Sequence, residues 1–313
     1  MKQLRKIIFV CGLFVALAVV RAAEPSAAPE RGAPATGGHA QAGQPLVSAD
    51  APTLFNIGPL PVTNSMVFTW IVGAVIFLVI RIGTRRMQEV PAGTQNLVEA
   101  TVEGLEGLAA GILEPKVTRW AFSLVATYFI FILASNLTGL LPGVGSIGWG
   151  HPSGAPFGIE HANTPLLRPP TADANMTVAM AAIFLVMNVY WAFRYNGFLG
   201  FFKHIFGVKV ETNKWAFPPL LLIFIFIGLT EVVSIVFVRP VALAMRLYGN
   251  IYGGENVLTM MLTNSPLGIA AVPFYFLELL VAVVQALVFT VLSISFIGIL
   301  CSHTEEEGAA HGH

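Results

Sequence analysis

Between Phe217 and Leu262 the chain is apolar almost throughout. As one helix rising 1.5 Å per residue, that run would be roughly 70 Å long. The hydrocarbon core of a bilayer is only ~30 Å thick. Such a run either breaks into two spans at Pro240 or lies as one steeply tilted helix. Two spans need a tight turn near Val238–Pro240, and no Gly or Asn cluster there supplies one. They would also reverse the course of everything that follows. The same excess length recurs in Leu267–His303, and Thr263-Asn-Ser-Pro266 joins the two runs. A long tilted antiparallel helical hairpin is therefore expected at the C-terminal end.

The rest of the chain has the same character. Soluble domains carry roughly 25% charged residues; these 313 residues carry 11%, with 55% hydrophobic and a mean hydropathy of +0.74. The fold class that follows is all-α, a polytopic membrane protein. Formal net charge is zero, so no basic surface points to nucleic acid. The two cysteines, Cys11 and Cys301, stand in no metal-ligand spacing. No disulfide, metal or cofactor reading survives.

Taken in order, residues 1–23 read as a secretory signal. Lys2, Arg5 and Lys6 form its basic start, Ile7–Val20 its apolar core and Val20-Arg21-Ala22 its small-x-small cleavage site. Residues 24–54 are rich in Ala, Pro and Gly, a disordered linker placed on the periplasmic side. The membrane domain covers 55–303, with about five transmembrane helices. Asn64–Ile82 is the first, and Arg81, Arg85 and Arg86 mark its cytoplasmic end. Across 91–113, Val98, Val102, Leu105, Leu108 and Ile112 recur at helical spacing, on another face from Glu99, Glu103 and Glu106. That is the pattern of one amphipathic interfacial helix. Trp120–Leu141 is the second span. The Gly- and Pro-rich stretch 143–170, whose one Lys or Arg is Arg168, is read as an outer loop. Asp173 and Asn175 sit where they would cap the third span, Met176–Phe193. Residues 304–313 form a polar cytoplasmic tail.

The hairpin holds the residues that need explaining. An ionised side chain at bilayer depth costs about 2.5–3.5 kcal/mol on insertion scales, and Arg246 cannot shed its proton to avoid that. In an antiparallel hairpin, facing positions have a nearly constant sum. That rule puts Arg246 level with Gln285, and Glu255 level with Glu278 nearer the turn. Arg246 and Asn250, four apart, share a face. Arg246 and Glu255, nine apart at ~100° per residue, lie on nearly opposite faces. Arg246 can then look outward while Glu255 looks toward the second helix. Two neighbouring carboxyls away from bulk water titrate as a coupled pair and can pass protons, in a pocket opening to the outer side. The bland alternatives are an Arg246 paired with Glu255 inside the chain, two glutamates that only glue helices together, and Asn250 and Gln285 as interhelical hydrogen-bond residues.

Arg239-Pro…Arg246-Leu-Tyr-Gly-Asn250…Glu255 resembles the signature of subunit a of the rotary F-type ATP synthase membrane sector. Asn136-Leu-Thr-Gly-Leu-Leu-Pro142 is similar to the motif ending that family's second span, and Pro170-Thr-Ala-Asp173-Ala-Asn175 to the one opening its next. Glu278 through Gln285-Ala-Leu-Val-Phe289 resembles its last helix. The resemblance implies a bacterial inner-membrane stator subunit, not itself an enzyme. Its partners would be a c-subunit ring, a b-subunit peripheral stalk, the rest of the synthase and the lipid bilayer. It implies that Arg246 is the fixed charge facing the c carboxylates. Asn250, Glu255, Glu278 and Gln285 would serve an outer half-channel, and Glu231 and Ser234 are candidates for an inner one. Three departures stand out: where relatives commonly pair a glutamate with a histidine this chain has Glu255 and Glu278, many relatives carry an acid in the second-span motif where this chain has Gly139, and the spacing from Glu231 to Arg246 is one residue longer than the resemblance leads one to expect. A stand-alone proton- or sodium-coupled secondary transporter is the alternative, with the two glutamates as its ion site. No convincing internal repeat supports it. An intramembrane hydrolase is excluded by the lack of HExxH or GxSxG.

Overall fold

The computed structural model describes residues 53–57, 60–85, 87–141, 144, 148–149, 164–165, 167–206, 217–264 and 270–301. The expected signal at 1–23, the linker up to residue 52 and the tail at 304–313 lie outside the described residues.

A short antiparallel hairpin that the sequence pattern does not announce, β1 (Thr53–Ile57) and β2 (Leu60–Thr63), leads into the first helix. Thr63 caps that helix, its hydroxyl accepting from the Met66 amide at 3.4 Å. The helices are α1 (Asn64–Gly83), α2 (Thr94–Ala110), α3 (Pro115–Gly139), α4 (Ala174–Phe206), α5 (Phe217–Val233), α6 (Arg239–Asn264) and α7 (Ala271–Cys301). A π-turn, Ser234–Val238, joins α5 to α6 without a break, and a 3-10 turn, Pro170–Ala172, precedes α4. Five helical stretches are long and apolar enough to cross a membrane, α5 and α6 counting as one through Ile223–Leu262. The single tilted helix is thus the form the long run takes, and α7 folds back along α6.

The π-turn has a local cause. Pro240 has no N–H, and its ring crowds the carbonyl one turn back. The backbone instead closes an i→i+5 bond, Arg239 N–H to the Ser234 carbonyl. A π-turn absorbs one extra residue in an α-helix. This one lies between Glu231 and Arg246.

Packing follows the apolar stripes. Phe68, Val72, Ile76 and Ile80 of α1, one turn apart, face the core with Leu105 and Ala109 of α2, and with α3 and α7 residues including Phe122, Tyr128, Phe289, Ile294 and Ile297. Tyr128 stacks edge-on against Phe289 at 5.4 Å and donates to the Met180 carbonyl at 3.0 Å. At Gly197, φ is 71°, a value open to glycine, and it kinks α4. Beyond the kink the helix carries Phe201 and Ile205 back onto Ile235 and Leu300. Burial is uneven. Across an apolar 18-residue stretch of α3, 67% of residues are buried; across such a stretch of Ile223–Leu262 only 17% are. The helix that carries Arg246 therefore has a long face that its own chain leaves uncovered.

Candidate functional site

The site lies where the α6–α7 hairpin meets the end of the bundle formed by the start of α1, the end of α3 and the 3-10 turn. Four elements converge there because short polar side chains tie them together. Ser65 of α1 donates to Asp173 at 2.5 Å, and Asp173 also accepts from the Asn175 amide at 3.0 Å, the capping role its position predicts. Asn136, near the end of α3, accepts from the Thr171 hydroxyl at 2.8 Å and donates to the Ala282 carbonyl of α7 at 3.4 Å. The two motifs flanking the 143–170 stretch thus close on each other and on α7.

Arg246 is exposed, and its guanidinium makes no hydrogen bond or ion pair among the described residues. Its surroundings on the same face are bare. Ala242, Met245, Gly249, Asn250 and Gly253 are exposed with it, and a Cβ built at Gly249 or Gly253 would meet nothing within 4 Å. The opposite face of α6 is packed, with Leu243, Ala244 and Leu247 buried. An internal pair between Arg246 and Glu255 does not form. Glu255 turns inward, where its Oε2 lies 3.8 Å from Arg168 Nε.

That partner is the surprise. Arg168, on the stretch read as an outer loop, is 1% exposed. It donates to the Ala172 carbonyl at 3.2 Å, and its guanidinium carbon stands 5.9 Å from the centre of the Tyr252 ring. Nothing local in the sequence announces this contact, because Arg168 and Glu255 are 87 positions apart. The available signal was charge balance: two acids at bilayer depth with no cation on their own helices facing them.

Glu278 is 7% exposed and lies against α6 at Gly254. A Cβ at Gly254 would fall on Glu278 Oε1. Only glycine leaves that seat open, and it brings Glu278 beside the residue preceding Glu255. The expected glutamate layer is present. The other layer is offset by one turn: Asn250 Nδ2, not Arg246, reaches Gln285 Oε1, at 2.6 Å.

Glu231 and Ser234 do not meet the other polar groups. Glu231 pairs with Arg239 at 2.5 Å. Eight residues apart, they would diverge by about 80° on a regular α-helix, but the π-turn between them removes most of that angle. Arg239 also lies over Phe296, 5.2 Å from its ring centre. Ser234 contributes the carbonyl of the π-turn.

Chemically, the arrangement holds a permanent cation on an open face. Behind it, toward α7, lie the carboxyls of Glu255 and Glu278 and the amide of Gln285, which Asn250 reaches from the edge of the open face. A family profile described as the ATP synthase A chain matches residues 66–298. An ATP synthase subunit a from Gloeobacter violaceus is 32% identical over 259 residues, 82% of this chain and 92% of the relative. One from Moorella thermoacetica is 30% identical over 244 residues, 78% and 93% of the two chains. A third, subunit a 1 of Syntrophotalea carbinolica, is 35% identical over 228 residues, 73% and 81%.

Proposed function

The chain belongs to the ATP synthase A chain family, and from that premise we propose that it is the proton-translocating stator subunit of a rotary synthase, with Arg246 as the fixed charge that couples ion flow to rotation. It conducts ions and performs no bond chemistry; ATP is made on other subunits. The observation that carries the coupling role is the bare face around Arg246. A guanidinium inside a 40-residue apolar span with no partner among the described residues needs an anion from elsewhere. A ring of small subunits, each with a carboxylate at bilayer depth, supplies one. Gly249 and Gly253 leave room for close approach of a partner helix.

In this reading a proton enters from the outer side through the pocket of Glu255 and Glu278. It passes the Asn250–Gln285 pair and neutralises a rotor carboxylate. That carboxylate can then leave Arg246 for the lipid, while the next, ionised, arrives. The positive charge holds an ionised rotor site and cannot take up the proton itself. A transmembrane potential of 100 mV supplies about 2.3 kcal/mol per charge moved. Exit on the cytoplasmic side passes near Glu231 and Ser234. Orientation follows from Arg81, Arg85 and Arg194 clustering at the end opposite the pocket, which the positive-inside rule makes cytoplasmic. A c ring and a peripheral stalk are the partners, in a bacterial plasma membrane.

Replacing Arg246 with Ala tests the reading. ATP-driven proton pumping in membrane vesicles falls to background while the synthase still assembles. Pumping at the wild-type rate in that variant would remove Arg246 from the mechanism.

A further inference from the structure

We propose that Arg168 is a built-in counter-ion that holds Glu255 as a fixed anion, so that Glu278 is the exchanging carboxyl of the outer pocket. The inference rests on the proton-conducting reading above and deepens it: the two acids, equivalent by sequence, are given different tasks by their neighbours. Arg168 acts through Glu255 and is a positioning residue.

Three observations carry it. Arg168 is 1% exposed, and a guanidinium keeps its charge wherever it is placed. A buried permanent cation calls for a nearby anion, and Glu255 Oε2 at 3.8 Å is that anion. Second, Arg168 is anchored. It is flanked by Pro169 and Pro170, bonded to the Ala172 carbonyl at 3.2 Å and set against Tyr252, so its charge does not move with the traffic of protons. Third, Glu278 has no such partner. It is 7% exposed, seated at Gly254, and no described residue donates a hydrogen bond or a cation to it.

The other charged and titratable groups around Glu278 leave this division intact. On α6 they are Tyr252, Glu255 and Arg246, the last exposed on the opposite face. On the segment before α4 they are Arg168 and Asp173, and Asp173 is bonded to Ser65 and the Asn175 amide. Tyr275 is the nearest on α7 itself, and α3 contributes Asn136, which carries no charge. With Glu255 neutralised by Arg168, Glu278 is the one acid of the pocket free to change charge without breaking an ion pair.

The probe is dicyclohexylcarbodiimide, an apolar reagent that adds to carboxyl groups carrying a proton. It is applied to membranes holding the whole synthase, and mass spectrometry of this chain's peptides reads where it has reacted. Glu278 is expected to be labelled roughly tenfold more than Glu255, the asymmetry an adjacent cation imposes on otherwise similar acids. Arg168→Gln brings label onto Glu255, and Arg168→Lys keeps the wild-type pattern. Equal labelling of both acids in the wild type, or an unlabelled Glu255 in Arg168→Gln, overturns the proposal. A second measurement covers the case in which Arg168→Gln fails to assemble. The double variant Arg168→Gln/Glu255→Gln removes both charges together, and it should recover the assembly that Arg168→Gln alone has lost. A double variant no better than Arg168→Gln refutes the pairing. The labelling ratio reports on the pocket whether or not its protons reach a rotor, so its failure is distinct from that of the Arg246 test.

Discussion

Two charges sit on opposite faces of α6, nine residues apart, and the chain treats them in opposite ways. Around Glu255 it builds a counter-ion, a buried anchor and a glycine seat for a second acid. Around Arg246 it builds nothing, and the flanking glycines face open space. A charge that is only structural is treated in the first way, because leaving it bare in an apolar medium is costly. The second treatment is stable only when another molecule completes it. On the proposed reading, the contrast separates conduction, which this chain arranges within itself, from coupling, which it leaves half-made.

The largest effect should come from the bare side, where Arg246→Ala abolishes ATP-driven pumping. Close behind is a paired test of two glycines five positions apart. Gly254→Val pushes into the Glu278 carboxyl, with an overpacking cost of about 1–3 kcal/mol. Thermal unfolding of the purified complex and passive proton permeation should both register it. Gly249→Val meets nothing within its own chain; it should leave the stability of the free subunit intact while lowering ATP-driven pumping. If the two variants behave alike, the contrast between the faces is broken.

A smaller effect is expected at the Asn250–Gln285 bond, where losing either partner costs about 0.5–1.5 kcal/mol. The two single Ala variants and the double form a cycle, and a coupling energy near zero would show that the bond is incidental. The smallest belongs to Glu231. Its side chain is 36% exposed and pairs with Arg239 on the same helix, and Glu231→Gln should lower the stability of the subunit without abolishing proton conduction. A collapse of proton conduction in that variant would show that Glu231 does more than pair with Arg239.

Much of this was open to reading in the residues. Helix lengths and faces follow from apolar periodicity, which is local, and the tilt of α5–α6 follows from its excess over the bilayer thickness. The outward aspect of Arg246 and the inward aspect of Glu255 follow from helical phase. The burial of Arg168 does not, because it depends on a Pro-rich segment folding back across the bundle end, a contact between distant positions. The hairpin register was legible only to within a turn. Asn250 rather than Arg246 meets Gln285, since a constant-sum rule fixes the level of facing residues and not which side chain of that turn points across. The π-turn left one trace, Pro240, whose missing N–H forces some irregularity without specifying which.

The central claim is that Arg246 faces a neighbour's acid. An electron cryomicroscopy map of the assembled synthase tests it most directly. A rotor helix against Arg246, Gly249 and Gly253, with its carboxylate within reach of the guanidinium, is the predicted result. A guanidinium folded back onto a carboxylate of its own chain, with only lipid over that face, would contradict it.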